Sequence, residues 1–456
     1  MRNTALRLLA AGAAGSLLLA ACGAADDAED TGASDGTTAE DMATDEEDHD
    51  DHGHGDEEQD DHGHGDEGHG DHDHGEEAAG VEYEEVAGAE PRLVVADAAD
   101  PAIHVVDLAT EEILGTFDSE VPGALLHLGG EKRVVAAVQP RGDVVQFIDP
   151  GSWGWAHGDH AHYYVGEPRL LDAQLDIGFP VHVTTGFERF AIFGDTEGAG
   201  IFVDELSLLE AAEVEGELVE TGRPHHGGLV QLSEDLSVIS GPAEDQDGGL
   251  PDEVWVLYQG EQVSAHDCPS LHGEKRADDW TGFACGDRVL LLEPHGDHAD
   301  ATEILYPEEL GEDFRLGYLN TTAGSNTFVA SSGDQLVFID ADAGELTPVQ
   351  LPTETAARSI IDDDGNVLVL TDDGILHQFD LDSYELVASS EEAVTIDAGN
   401  EAPRLSLAGG RDRAYVPAPL DGVVHEFATN DGLRLTRTIE LGGAPAQLAY
   451  VGAWPT

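Results

Sequence analysis

The sequence predicts an all-β fold: a β-propeller, with eight blades counted and seven left open, behind a low-complexity acidic arm. Three observations predict it. From residue 89 onward, apolar runs of strand length alternate with Asp/Gly-rich turns. These runs recur as similar units whose turn points lie roughly 35 to 55 residues apart, the spacing of four-stranded propeller blades. No segment beyond the N-terminal apolar run carries helical periodicity.

The chain divides into three parts. Residues 1–21 read as a lipoprotein signal peptide. Arg2 and Arg7 make a basic start, an apolar run extends from Leu8 to Leu19, and "LLLAAC" ends at Cys22. Small residues before a Cys at the end of such a run resemble a lipobox. Cleavage before Cys22 and acylation of its thiol would leave the protein outside the cytoplasm, held to the membrane by lipid alone. Residues 22–88 read as a disordered tail. Between Cys22 and Glu90 there are 28 acidic residues and no Lys or Arg, a composition that cannot bury a core. Within it, residues 49–75 carry eight His: His49, His52, His54, His62, His64, His69, His72 and His74. Neutral imidazoles among carboxylates suit capture of a divalent metal, at sites weakened by the ordering they require. Residues 89–456 form the propeller domain.

Each full unit of that domain has one order. An apolar strand enters an Asp/Gly turn, a second strand often ends in Asp, and a third follows another turn. "TFVASSGDQLVFIDADAGELTPV" and "NVLVLTDDGILHQFDLDSYELV" show the pattern, and the turn residues supply the backbone freedom that hairpins need. "DDDGNVLV" looks like the start of a calcium loop, but Gly365 falls at its fourth position and not its sixth, so it reads as a hairpin turn.

The formal charge is −76. That makes nucleic acid and anionic lipid surfaces poor partners and cations good ones. With Cys22 lipidated, Cys268 and Cys285 remain and are expected to pair outside the cytoplasm. The alternative is a Cys/His metal site built from "HDCPSLH" and Cys285, whose spacing matches no common zinc motif.

Histidine placement follows the repeat. Aligned on the strand that opens each unit, four successive units bring His127, His182, His225 with His226, and His266 with His272 into the segment entering that strand. Equivalent repeat positions sit at equivalent heights around a propeller channel, so these imidazoles are expected near one mouth. Tetrahedral imidazole coordination at about 2.0–2.1 Å is natural for Zn²⁺, the expected metal, with Cu²⁺ and Ni²⁺ the alternatives on affinity alone. "WGWAHGDHAHYY" breaks the strand pattern and reads as a loop over that mouth, offering His157, Asp159, His160 and His162. His104, His377 and His425 fall in second strands and read as structural. His295 and His298, in "EPHGDHAD", read either as another metal loop or as a solvated turn.

"HGDHAHYY" (157–164), "RPHHGG" (223–228), "CPSLHGE" (268–274) and "GFACGD" (282–287), with the His-rich arm, resemble the AztD-like zinc metallochaperones. The resemblance implies an exported β-propeller that passes Zn²⁺ to the solute-binding protein of a zinc ABC transporter. It also implies one high-affinity propeller site and a mobile His arm. A monomer without enzymatic activity is expected. The rival readings are a metal-dependent propeller hydrolase of lactonase type and a protein-binding scaffold with a separate metal-buffering tail. Neither H-E-x-x-H nor G-x-S-x-G occurs. "GHGDEG" (63–68) matches a dinucleotide fingerprint but has no strand before it.

Overall fold

The computed structural model describes residues 82–157, 160–243, 248–391, 394–397, 399 and 402–452. The signal peptide, Cys22, the eight tail histidines and Asp159 lie outside the described residues. Among the described residues strand follows strand, interrupted only by single-turn 3₁₀ segments. No helix among the described residues is long and apolar enough to cross a membrane.

Eight sheets form the propeller. Seven have four strands and one, residues 327–350, has three, with an Asn320–Val329 bridge in place of its inner strand. Blade 1 joins residues 92–118 to the C-terminal strand Pro445–Val451, which pairs antiparallel with Arg92–Asp97. Blade 2 comprises residues 125–149 and 169–176, blade 3 residues 180–220, blade 4 residues 229–267 and blade 5 residues 274–305. Blades 6, 7 and 8 comprise residues 327–350, 360–389 and 408–440. The inner strands of blades 3, 4 and 5 touch one another around the channel, as do those of blades 8 and 1 and of blades 1 and 2.

Period-2 burial explains the closed ring. Successive strand residues face opposite sides of a sheet, so each blade offers one apolar row to the blade before it and another to the blade after. In blade 1, Val94 and Ala96 pack with Val135 and Ala137 of blade 2. The intervening Leu93 and Val95 pack with Tyr415 and Val424 of blade 8. Similar apolar clusters fill the other six junctions.

Two expectations are corrected. "WGWAHGDHAHYY" is not a loop but a β-hairpin, Ser152–His157 against His160–Val165, inserted between the third and fourth strands of blade 2. Its aromatics drive the pairing: Trp153 lies opposite Tyr164, and their rings stack at 4.3 Å. The ordered body also begins before residue 89. Glu84–Val86 adds a third strand to this hairpin. The Tyr83 hydroxyl donates to Asp149, and its ring meets Trp153 edge-on. Three residues, two of them Glu, show no strand pattern until the hairpin supplies a partner.

Cys268 and Cys285 form a disulfide, so the alternative of a Cys/His metal site falls: neither sulfur is a free thiolate. The bridge spans 17 residues of sequence, and that segment contains His272 and Glu274. Reducing it, or replacing both cysteines with Ser, is expected to remove about 3 kcal/mol of stability on the chain-entropy model. The loss would be read as a lower thermal midpoint. Metal affinity should fall with it, because the loop it closes positions two residues of the site described next.

Candidate metal centre

Three consecutive blades bring one imidazole each to the channel. His182 lies on the inner strand Pro180–Gly186 of blade 3. His226 lies three residues before the start of the inner strand of blade 4, Leu229–Gln231, and His272 two residues before that of blade 5, Glu274–Arg276. One ligand atom from each lies within 4.8 Å of the other two.

Each ring is held by its Nδ1. His182 Nδ1–H donates to Glu274 Oε1 at 3.0 Å, His226 Nδ1–H to Asp195 Oδ2 at 2.6 Å, and His272 Nδ1–H to the Gly317 carbonyl at 3.0 Å. Such partners fix the tautomer and leave Nε2 as the metal-facing atom. His182 Nε2 and His226 Nε2 lie 3.1 Å apart. Two lone pairs that close need a cation between them, either a proton or a metal. A tetrahedral ion with bonds of about 2.0–2.1 Å spaces its ligand nitrogens about 3.3 Å apart. The pair therefore already stands near ligating distance.

The electrostatics agree. Burial pulls the His182 pKa down, but the charge and hydrogen bond of Glu274 outweigh it, and the net shift is upward. Burial likewise works against ionised Glu274, and the facing imidazoles bring its pKa below the usual range. Without metal, a proton on His182 Nε2 would bridge to His226 Nε2 while Nδ1–H still donates to Glu274. His272 is pushed down to about 4 by burial and by its two imidazole neighbours, so at neutral pH its Nε2 carries a free lone pair.

Two glycines make room. A Cβ on Gly228 would stand 2.6 Å from the Glu274 carboxyl carbon. Gly273, between His272 and Glu274, has φ +138° against the backbone of Tyr318, a conformation costly for any side-chain-bearing residue.

The other expected ligands lie elsewhere. His127 is on the inner strand of blade 2, as the repeat alignment requires, but outside the three-imidazole group. Burial, together with Arg358 and Lys275, pushes its pKa to about 3. His225 faces away from its neighbour His226. It is 1% exposed, donates from Nδ1 to the Arg223 carbonyl at 2.9 Å, and accepts from Ser240 Oγ at 2.8 Å. His266 sits on the outer strand of blade 4, where Ser264 Oγ donates to its Nε2. His160 and His162 lie on the inserted hairpin, and His162 bonds Glu85. His157 ends the first strand of that hairpin. His104, His377 and His425 bond hydroxyls of adjacent strands.

Asp195 and Glu274 were not singled out from the sequence. Glu274 had a signal: it stands two residues after His272, in "CPSLHGE". Asp195, in the turn after the second strand of blade 3, had none.

No protein-family model matches the chain. A curated relative, zinc chaperone AztD of Citrobacter koseri, is 26% identical over 369 residues, covering 79% of this chain and 86% of the relative. A crystal structure of Citrobacter koseri AztD superposes with a TM-score of 0.74 at 25% identity, covering 81% of this chain and 99% of that one. The chain resembles the AztD zinc chaperones. Apo AztD from the same organism shares the fold, with a TM-score of 0.71 at 24% identity over 80% of this chain and 98% of its own. Three imidazole nitrogens in an AztD-like propeller make a donor set suited to a borderline divalent cation.

Proposed function

We propose that this protein is a zinc chaperone that works outside the cytoplasmic membrane. It binds Zn²⁺ at His182, His226 and His272 and passes it to the solute-binding protein of a zinc ABC transporter. The observation that carries this reading is the convergence of three Nε2 atoms, each ring held by an acceptor at Nδ1. The likeness to AztD supports it. Three protein ligands leave a fourth tetrahedral position for a ligand of the acceptor protein, so zinc can move by ligand exchange. The histidines of the tail collect Zn²⁺ weakly, and acylation of Cys22 restricts the monomeric carrier to the membrane plane. A non-enzymatic role is what the likeness to a zinc chaperone supports.

The test is a Zn²⁺ competition titration of the full chain and of a form lacking residues 22–81. The shorter form is expected to keep one tight site, and the longer one to add several weaker ones. The tight form should then give its zinc to a solute-binding protein faster than zinc dissociates into a chelator. A shorter form that binds no zinc would overturn the reading.

Acid should weaken the tight site in a defined order. Binding needs neutral imidazoles. Because Glu274 raises the His182 pKa, protons compete there at a higher pH than at an ordinary imidazole. His272 takes a proton only near 4. Affinity should therefore begin to fall above the pH of about 6.5 at which a free imidazole titrates, and should drop further as pH falls. The pH dependence of the competition titration checks this.

A further inference from the structure

The tetrapeptide His-Gly-Asp-His occurs three times in the chain: at 69–72 in the tail, at 157–160, and at 295–298. In the second and third copies the two histidines are register partners across a strand pair. His157 lies opposite His160, and His295 lies opposite His298. The copy at 295–298 closes the outer hairpin of blade 5, Arg288–His295 against His298–Leu305. Gly296, at φ +59°, takes the first turn position, where a two-residue hairpin calls for glycine. Arg288–His295, the third strand of its blade, has eight residues where the third strands of the other blades have five or six.

Its side chains converge. The Asp300 carboxylate stands between the two imidazoles, 3.8 Å from His295 Nε2 and 3.9 Å from His298 Nε2. Glu293 Oε2 lies 3.4 Å from His295 Nε2. Asp297, inside the tetrapeptide, accepts from His298 Nδ1–H at 3.1 Å, which leaves His298 Nε2 with its lone pair facing Asp300. This repeats the arrangement of the channel cluster, where a carboxylate at Nδ1 aims Nε2. These three separations exceed the ligand spacing of a tetrahedral ion, and the two imidazole rings stand 6.1 Å apart against 4.7 Å for His182 and His226, so the tip has to tighten around an ion; its side chains are solvent-exposed and can move.

We propose that the tip at 293–300 is a second metal site, separate from the channel, in which His295, His298 and Asp300 hold an exposed zinc-class divalent cation, with Glu293 as a fourth donor. Mixed imidazole and carboxylate donors in open solvent make it weaker than the buried three-imidazole set. It stands whether or not the channel cluster is a transfer site.

Peptide-resolved carbethoxylation of the full chain, read by mass spectrometry at rising Zn²⁺, tests it. Zn²⁺ is expected to slow modification of His295 and His298 at concentrations above those that protect His182, His226 and His272. Asp300→Asn should raise the Zn²⁺ needed at the hairpin by about tenfold or more and leave protection in the channel unchanged. Unchanged modification of His295 and His298 at saturating Zn²⁺ would overturn the proposal. So would equal protection by Mg²⁺, which would mark a non-selective acidic surface. Protection at the hairpin without protection in the channel would uphold this site and refute the zinc site of the proposed function.

Discussion

Replacing His226 with Ala is expected to abolish tight zinc binding, while replacing its neighbour His225 with Ala leaves binding in place and destabilises the fold. The two residues are adjacent in "RPHHGG" and differ only in direction. His226 Nε2 stands 3.1 Å from His182 Nε2, and its Nδ1 is held by Asp195. Without it, the site keeps two imidazoles, one of them His182, whose pKa is raised. Removing a partner that merely orients a ligand costs roughly 10–100-fold in metal affinity. Glu274→Gln should fall in that range, and loss of the ligand itself should exceed about 100-fold. His225 presents the opposite case. Both of its nitrogens are bonded within the protein, and Ser240 Oγ, which serves it, also accepts from the Gly228 amide. His225→Ala leaves those buried groups short of a partner, a loss of about 1–3 kcal/mol. Competition titration and thermal unfolding of both variants separate the two roles. Retained tight binding in His226→Ala, or its loss in His225→Ala, would refute the assigned geometry.

That contrast marks how far the sequence could be read. The blades were legible because each strand alternates its burial over two residues, as Leu93 to Ala96 do, and because turn residues punctuate every unit. The convergence of histidines was legible to the level of the blade. His127, His182, His226 and His272 all lie on or just before inner strands. Depth along the channel and the direction of each side chain were not legible, since they depend on the tilt and bulge of each strand; the strand carrying His182 shifts register between Pro180 and Val183. His225 and His226 differ by one residue, and a one-residue step reverses the face. The partners at Nδ1 come from 31 and 92 residues away, a distance over which local pattern carries no information. The hairpin at 152–165 was misread for a related reason. Its two tryptophans and two tyrosines form a sheet of their own outside the blade rhythm, and the strand that completes it, Glu84–Val86, lies 77 residues from His162 at the Glu85 contact.

Deleting residues 445 onward is expected to destroy the fold, although deleting residues 22–81 leaves it intact. The asymmetry comes from where the ring closes. Pro445–Val451 is the inner strand of blade 1, and its register runs from Arg92 opposite Val451 to Asp97 opposite Pro445. Without it, Arg92–Asp97, buried at all six positions, becomes an open edge of unpaired backbone N–H and C=O groups, the kind of edge that pairs with other chains. The strand also belongs to two junctions at once. Ala449 and Val451 pack towards blade 2, and Leu448 towards blade 8. Burying each large apolar side chain contributes roughly 1.5–3 kcal/mol. Losing Leu448 and Val451, with the smaller residues between them and a full ladder of backbone hydrogen bonds, approaches the roughly 5–15 kcal/mol that holds a whole domain together. The His182, His226 and His272 cluster lies on blades 3 to 5, away from this seam, so a local effect would spare it. A ring cannot open locally. Each blade is braced by both neighbours, and the three imidazoles meet only while those blades are held at their angle around the channel. The truncated chain should therefore elute as aggregate in size-exclusion chromatography, show no cooperative thermal transition, and bind zinc only through its tail. A monomeric product that unfolds cooperatively and keeps the tight site would show that three blades suffice to hold the metal, and the ring-closure account would have to be abandoned.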